Sequence, residues 1–136
     1  MSIDYAPLAP TLWPLLNKFY REQRSPMRGD KAAQAWVARD GEIIAALNLT
    51  PVADGHWLTG LLVADACRGQ GVARRLVTQA VASVAGPVWL FCDPGLAGFY
   101  QRLGFALAND LPQVLAERLV RYQRNKALIA MTTPAP

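Results

Sequence analysis

The chain has 136 residues, 52% of them apolar and 18% charged, and a formal net charge of +4. That length fits one domain, residues 1–136, able to bury roughly two-thirds of its unfolded surface. The composition excludes a disordered chain, and two cysteines, Cys67 and Cys92, exclude a disulfide framework. Arginines are spread rather than blocked, which excludes a polycationic tail. No apolar run reaches the ~18 residues of a membrane span, so no membrane association is expected. The opening residues lack a basic segment followed by an apolar one, so no leader is expected and the free thiols suggest a cytoplasmic protein.

In chain order, Ile3–Leu8 reads as a short strand. Leu12, Leu15, Leu16, Phe19 and Tyr20 then recur at helical spacing. Thr11 stands where an N-cap is expected, and Pro14 falls in the first turn, where proline is tolerated. Ser25–Asp30 is a loop, and its Arg-Gly-Asp tripeptide is read as coincidence. Gln34–Arg39 and Glu42–Thr50 flank Asp40-Gly41, a strong hairpin signal. The turn Val52–Gly55 leads into a third strand, His56–Ala64. These three form an antiparallel meander.

Val72, Leu76, Val77, Ala80, Val81 and Val84 then make one helical stripe, which Gly86 and Pro87 end. Val88–Phe91 is a short apolar strand, expected to lie centrally. Strand, helix and strand in this order predict a parallel pair with a right-handed crossover. Asp93-Pro94 opens a helix that carries Leu96, Phe99, Tyr100 and Leu103 on one face and closes at Gly104. Phe105–Ala108 is a strand. Asp110 is expected to cap a last helix with Leu111, Val114, Leu115, Leu119 and Tyr122 on one side. Ala127–Thr133 is the final strand.

The corner between the third strand and the helix after it, Arg68-Gly69-Gln70-Gly71-Val72-Ala73-Arg74, carries the chemistry. The first N–H groups of a helix lack internal partners and carry the positive end of its dipole. With glycines in place of side chains, that end can receive an anion. Arg68, Arg74 and Arg75 add charge. No Lys-Ser/Thr follows the glycines, and Arg74 stands where the dinucleotide fingerprint needs a small residue, so neither a Walker loop nor a Rossmann loop is present.

The same residues resemble the Arg/Gln-x-x-Gly-x-Gly/Ala signature of the GNAT superfamily of acyl-CoA N-acyltransferases. Gly98–Phe105, "GFYQRLGF", is similar to that family's Tyr-x-x-x-Gly-Phe motif, and the order of elements agrees along nearly the whole chain. The resemblance implies an α/β fold: a single-domain mixed sheet of six to seven strands, helices on both faces, and two splayed central parallel strands. It implies acetyl-CoA as co-substrate, with no metal, and a small-molecule or peptide amine as acceptor. Leu61, Leu62 and Val63 would pair with the pantetheine. Arg68, Gly69, Gln70, Gly71, Val72, Ala73 and Arg74 would hold the pyrophosphate. Tyr100, which periodicity alone reads as a core residue, would protonate the leaving thiolate.

Thr59 stands where many members of the family carry an acidic residue, which leaves the general base open; His56 and Glu42 are the candidates in the sequence. It also leaves open a non-catalytic acetyl-CoA-responsive module. The basic residues between Lys18 and Lys31 point to an acceptor that bears a carboxylate or phosphate, with Arg24 and Arg28 as its partners. A homodimer stays open. Nucleic acid is not expected as a partner, because no strand face interleaves aromatic and basic residues.

Overall fold

The computed structural model describes residues 2–133. Seven strands, β1 (Asp4–Pro7), β2 (Gln34–Asp40), β3 (Glu42–Val52), β4 (Gly55–Val63), β5 (Val88–Cys92), β6 (Ala106–Leu107) and β7 (Ile129–Thr132), form one sheet in the order β1-β2-β3-β4-β5-β7-β6. Every neighbouring pair is antiparallel except β4 and β5. The helices are α1 (Trp13–Glu22), α2 (Val72–Ala82), α3 (Ala97–Arg102) and α4 (Gln113–Gln123).

Both faces of the sheet are covered. On β2, Ala35 and Val37 meet Leu16, Phe19 and Tyr20 of α1, whereas Trp36 and Ala38 turn to the opposite face. There they join Leu47, Leu49 and Leu58 of β3 and β4, Val72, Leu76, Val77 and Ala80 of α2, and Val88 and Leu90 of β5. Burial on both sides explains why β2 and β3 read as apolar runs rather than as alternating strands.

Two helix starts differ from expectation. Thr11 lies exposed inside a 3-10 turn, Pro10–Leu12, and caps nothing; α1 begins at Trp13. Asp110 also caps nothing. Pro112 holds the residue before it away from helical angles, and α4 begins after it, with the Leu115 and Ala116 N–H groups bonded to the Pro112 carbonyl. On α4 only Leu115 is fully buried, while Val114 and Tyr122 of the expected apolar side are exposed. Helix α2 stops at Ala82, before Gly86, which serves instead the turn against Asp54 with φ of 80°.

Two features of β4 shape the site. Its pairing with β5 is confined to His56↔Val88 and Trp57↔Trp89, although both strands continue. Beyond Trp57 they diverge and leave a wedge. The register with β3 also slips, because Ala46 faces Leu62 while Asn48 faces Thr59. Two residues, Gly60 and Leu61, therefore stand opposite Leu47, which is a β-bulge on β4. Gly60 takes φ of 68°, and a side chain there would meet the Tyr20 hydroxyl at 2.9 Å, Asn48 Nδ2 at 3.0 Å and the Met27 methyl at 3.1 Å.

Candidate functional site

The wedge opens into a cleft of about 410 Å³. Leu61–Val63 of β4 line one side, Cys67, Arg68, Gly69 and Gly71–Arg74 line the corner, and Leu96, Phe99 and Tyr100 line the far wall. All but one of the residues expected to bind acetyl-CoA, together with Tyr100, thus border one cavity. The exception is Gln70, which borders a neighbouring hollow with Tyr5, Arg74, Arg75 and Thr78.

The strand wall exposes backbone. The Ala64 N–H donates to the Ile44 carbonyl of β3 at 2.8 Å. Backbone direction alternates along a strand, so Leu61 and Val63 turn their N–H and C=O groups toward the wedge. The Val63 carbonyl accepts a 3.3 Å bond from Arg68 Nε, and the same guanidinium pairs with Asp65 at 3.3 Å. Arg68 is therefore folded back along the end of β4 rather than across the glycine corner.

At that corner Gly69 and Gly71 have φ of 77° and 78°, the left-handed region that favours glycine. Beyond the adjoining residues, no protein atom lies within 4 Å of a Cβ placed on either, so open space faces both. Gly71 caps α2 without a side-chain hydrogen bond, and the first bond into the helix runs from the Arg75 N–H to the Gly71 carbonyl. Among the described residues, the N–H groups of Gly69, Gln70, Gly71, Val72, Ala73 and Arg74 donate to no protein acceptor. Six free donors at the positive end of a helix dipole suit an anion.

Tyr100 is fixed by edge-on packing against Phe99 and Phe105, with ring centroids 5.0 and 5.7 Å away. Burial, with Cys92 nearby, pushes its phenol up to about 12. The ring therefore carries its proton at any physiological pH. Cys92 is buried at the end of β5, where burial and the neighbouring Asp93 push its thiol up as well; a neutral thiol is a poor nucleophile. Cys67 borders the cleft and is free.

No candidate base reaches this cavity. His56 borders a separate hollow with Trp36, Leu49 and Ser83. Glu42 borders a groove beside Lys18, Glu22 and Arg39. Thr59 faces Asn48 on β3 and is not part of the cleft wall. Arg24 and Arg28 are exposed and make no side-chain hydrogen bond or ion pair among the described residues.

The structure adds a polar group that the sequence reading missed. The Tyr20 hydroxyl donates to the Gly60 carbonyl at 2.7 Å, and Asn48 Nδ2 donates to the Tyr20 oxygen at 3.2 Å. Tyr20 and Asn48 are both buried. The signals were present: one asparagine within the apolar run of β3, and a glycine in mid-strand, which marks a bulge.

Residues 31–107, more than half of the chain, match the acetyltransferase (GNAT) domain family. No curated protein matches the sequence. Among solved structures, an acyl-CoA N-acyltransferase from Pseudomonas aeruginosa superposes with a TM-score of 0.69 at 22% identity, covering 98% of this chain and 100% of that one. A GNAT family N-acetyltransferase from Escherichia coli in complex with CoA gives 0.71 at 22% identity over 96% and 80%. An aminoglycoside 6'-N-acetyltransferase complexed with coenzyme A gives 0.69 at 19% identity over 100% and 99%.

Proposed function

The chain belongs to the GNAT acetyltransferase family, and on that premise we propose that it transfers the acetyl group of acetyl-CoA directly to a primary amine. The observation that carries this reading is the convergence of three elements on one cleft. These are the unpaired edge of β4, the glycine corner with its free N–H groups, and the Tyr100 phenol. Pantetheine adds to the exposed edge of β4 as a peptide strand would, and the pyrophosphate sits on the donors of Gly69–Arg74. The acetyl group then lies in the wedge.

A neutral amine attacks the acetyl carbon. The C–N bond forms and the C–S bond breaks, with no acyl-enzyme intermediate. Holding both partners in line supplies much of the rate, and a wedge-facing N–H at Leu61 or Val63 stabilises the oxyanion. Tyr100 gives its proton to the departing sulfur. Burial keeps the phenol protonated, so it has a proton to give when the thiolate forms. The amine proton leaves to solvent, since among the described residues no carboxylate borders the cleft.

Thr59, in place of a strand carboxylate, favours a second reading, a module that binds acetyl-CoA without turnover. One experiment separates the two. Acetyl-CoA affinity is measured by calorimetry, and thiol release is followed with an amine panel. Binding with amine-dependent thiol release supports the transferase, and binding alone supports the module. If acetyl-CoA does not bind, both fail.

A further inference from the structure

We propose that the acceptor amine carries a carboxylate, held between the guanidinium of Arg118 and the indole N–H of Trp57 at the root of the wedge. This rests on the acyl-transfer reading above and names the substrate class for it.

Trp57 is the last residue of β4 paired to β5, so it stands where the strands part. Leu58 and Leu90 belong to the core under α2, and by alternation Trp57 and Phe91 turn to the opposite sheet face, that of α1. Phe91 packs against Trp57 with centroids 5.5 Å apart, and Tyr122 of α4 stands edge-on to Phe91 at 6.2 Å. Arg118, also on α4, lies over the Trp57 ring at 4.8 Å. The result is an apolar nest with a cation on one wall.

The nest holds donors without acceptors. Trp57 Nε1 is buried with no hydrogen-bond partner. Arg118 pairs with no carboxylate among the described residues. A buried N–H that lacks a partner is costly, and a guanidinium stacked on an indole retains its hydrogen-bonding edge. A carboxylate, acceptor-only and able to take two donors, satisfies both groups.

The opposite chemistry lies nearby on the same face. The Tyr20 hydroxyl spends its proton on Gly60, so its oxygen accepts from the Asn48 amide, which fixes Nδ2 toward Tyr20. Asn48 Oδ1 is left buried and unpartnered, an acceptor suited to an amine N–H. Asn48 stands opposite Thr59, two residues beyond Trp57, which is roughly 7 Å along the strand. Donors for an anion and an acceptor for an amine are thus set about one small molecule apart, beside the wedge. Both unpartnered atoms are covered in the unliganded chain, so the side chains around them shift to admit an occupant.

The test uses the full chain. Wild type, Arg118→Gln, Arg118→Lys and Trp57→Phe are assayed with acetyl-CoA and the twenty amino acids, their carboxamides, spermidine and kanamycin. In parallel, the indole N–H resonance of Trp57, assigned by its loss in Trp57→Phe, is followed while the same compounds are added. The expected result is preference for one or more amino acids over their carboxamides. Arg118→Gln and Trp57→Phe then raise KM for that amino acid about 10- to 100-fold, with Arg118→Lys recovering part of the loss. KM for acetyl-CoA stays within about twofold of wild type, and the Trp57 indole shifts with the acid alone. Equal use of acid and carboxamide, or spermidine or kanamycin as best acceptor, overturns the carboxylate site while leaving acyl transfer standing. If acetyl-CoA fails to bind, the earlier reading falls, and the indole titration still decides whether a carboxylate is held there.

Discussion

A phenol is usually a weak partner for proton transfer at neutral pH, and Tyr100 is made weaker still by burial. The acid role is consistent with this only because the phenol never needs to ionise before the thiolate forms. Replacing Tyr100 with Phe removes the hydroxyl and keeps the edge-on contacts with Phe99 and Phe105. Acetyl-CoA affinity is expected to stay unchanged, while turnover falls by roughly 10²- to 10⁴-fold, as steady-state kinetics with a chemistry-limited acceptor will show. The pH profile carries a matching signature. Rate rises as the acceptor amine loses its proton, and no falling limb from Tyr100 appears until pH nears 12. Stability runs the other way. The folded phenol keeps its proton above pH 10, where an unfolded tyrosine would release it, so the folded state binds more protons and loses stability as pH rises from about 10 to 12. Tyr100→Phe should remove part of that alkaline loss in denaturant titrations; the rest stays with Tyr20, whose phenol burial also pushes up. Gly71 argues at the same scale: a side chain at φ of 78° is strained, and Gly71→Asp sets a carboxylate against the proposed pyrophosphate. Calorimetry is expected to show acetyl-CoA binding lost; unchanged affinity would remove the anion site.

At the scale of elements, what was legible in the sequence followed from local rules. The Asp40-Gly41 hairpin, the α2 stripe and the Gly69–Gly71 corner each obey a spacing or a backbone constraint that a few residues express. The parallel β4–β5 pair followed from the strand–helix–strand order. The bulge did not, because a register slip depends on what faces it across β3, and Gly60 alone does not name Tyr20 or Asn48. The caps failed for a related reason: Thr11 and Asp110 are good cap residues beside prolines that move the helix start downstream. Part of the apolar side of α4 is exposed, because periodicity finds a stripe without saying what covers it. The bulge itself can be tested. Gly60→Ala places a methyl group within 2.9 to 3.1 Å of Tyr20, Asn48 and Met27 at a left-handed φ. A loss of about 1–3 kcal/mol is expected in chemical denaturation. Tyr20→Phe leaves the part-buried Gly60 carbonyl and the buried Asn48 amide without their shared partner, for a loss of similar size.

Across the whole molecule, the sheet carries its cleft where its own pairing stops. Two bridging pairs join β4 to β5, so the halves β1–β4 and β5–β7 are held together there by few strand hydrogen bonds and by the helices packed across the seam. α2 covers one side, with Leu76 and Val77 against β3, β4 and β5 residues of the shared core. On the other side α4 reaches back over Trp57 and Phe91. A ligand strand in the wedge would supply the backbone partners that β4 lacks beyond Trp57, and would couple the halves directly. Saturating acetyl-CoA is therefore expected to raise the melting temperature, by linkage of roughly 2.7 kcal/mol at a hundredfold excess over Kd. Hydrogen exchange gives the more specific readout. The wedge-facing amides of Leu61 and Val63 exchange freely in the unliganded protein and become protected on binding, whereas the Ala64 amide, already bonded to Ile44, changes little. Protection spread evenly over the sheet, with no gain at 61 and 63, would mean that acetyl-CoA stabilises the fold without adding to β4, and the wedge would lose its role as the docking edge.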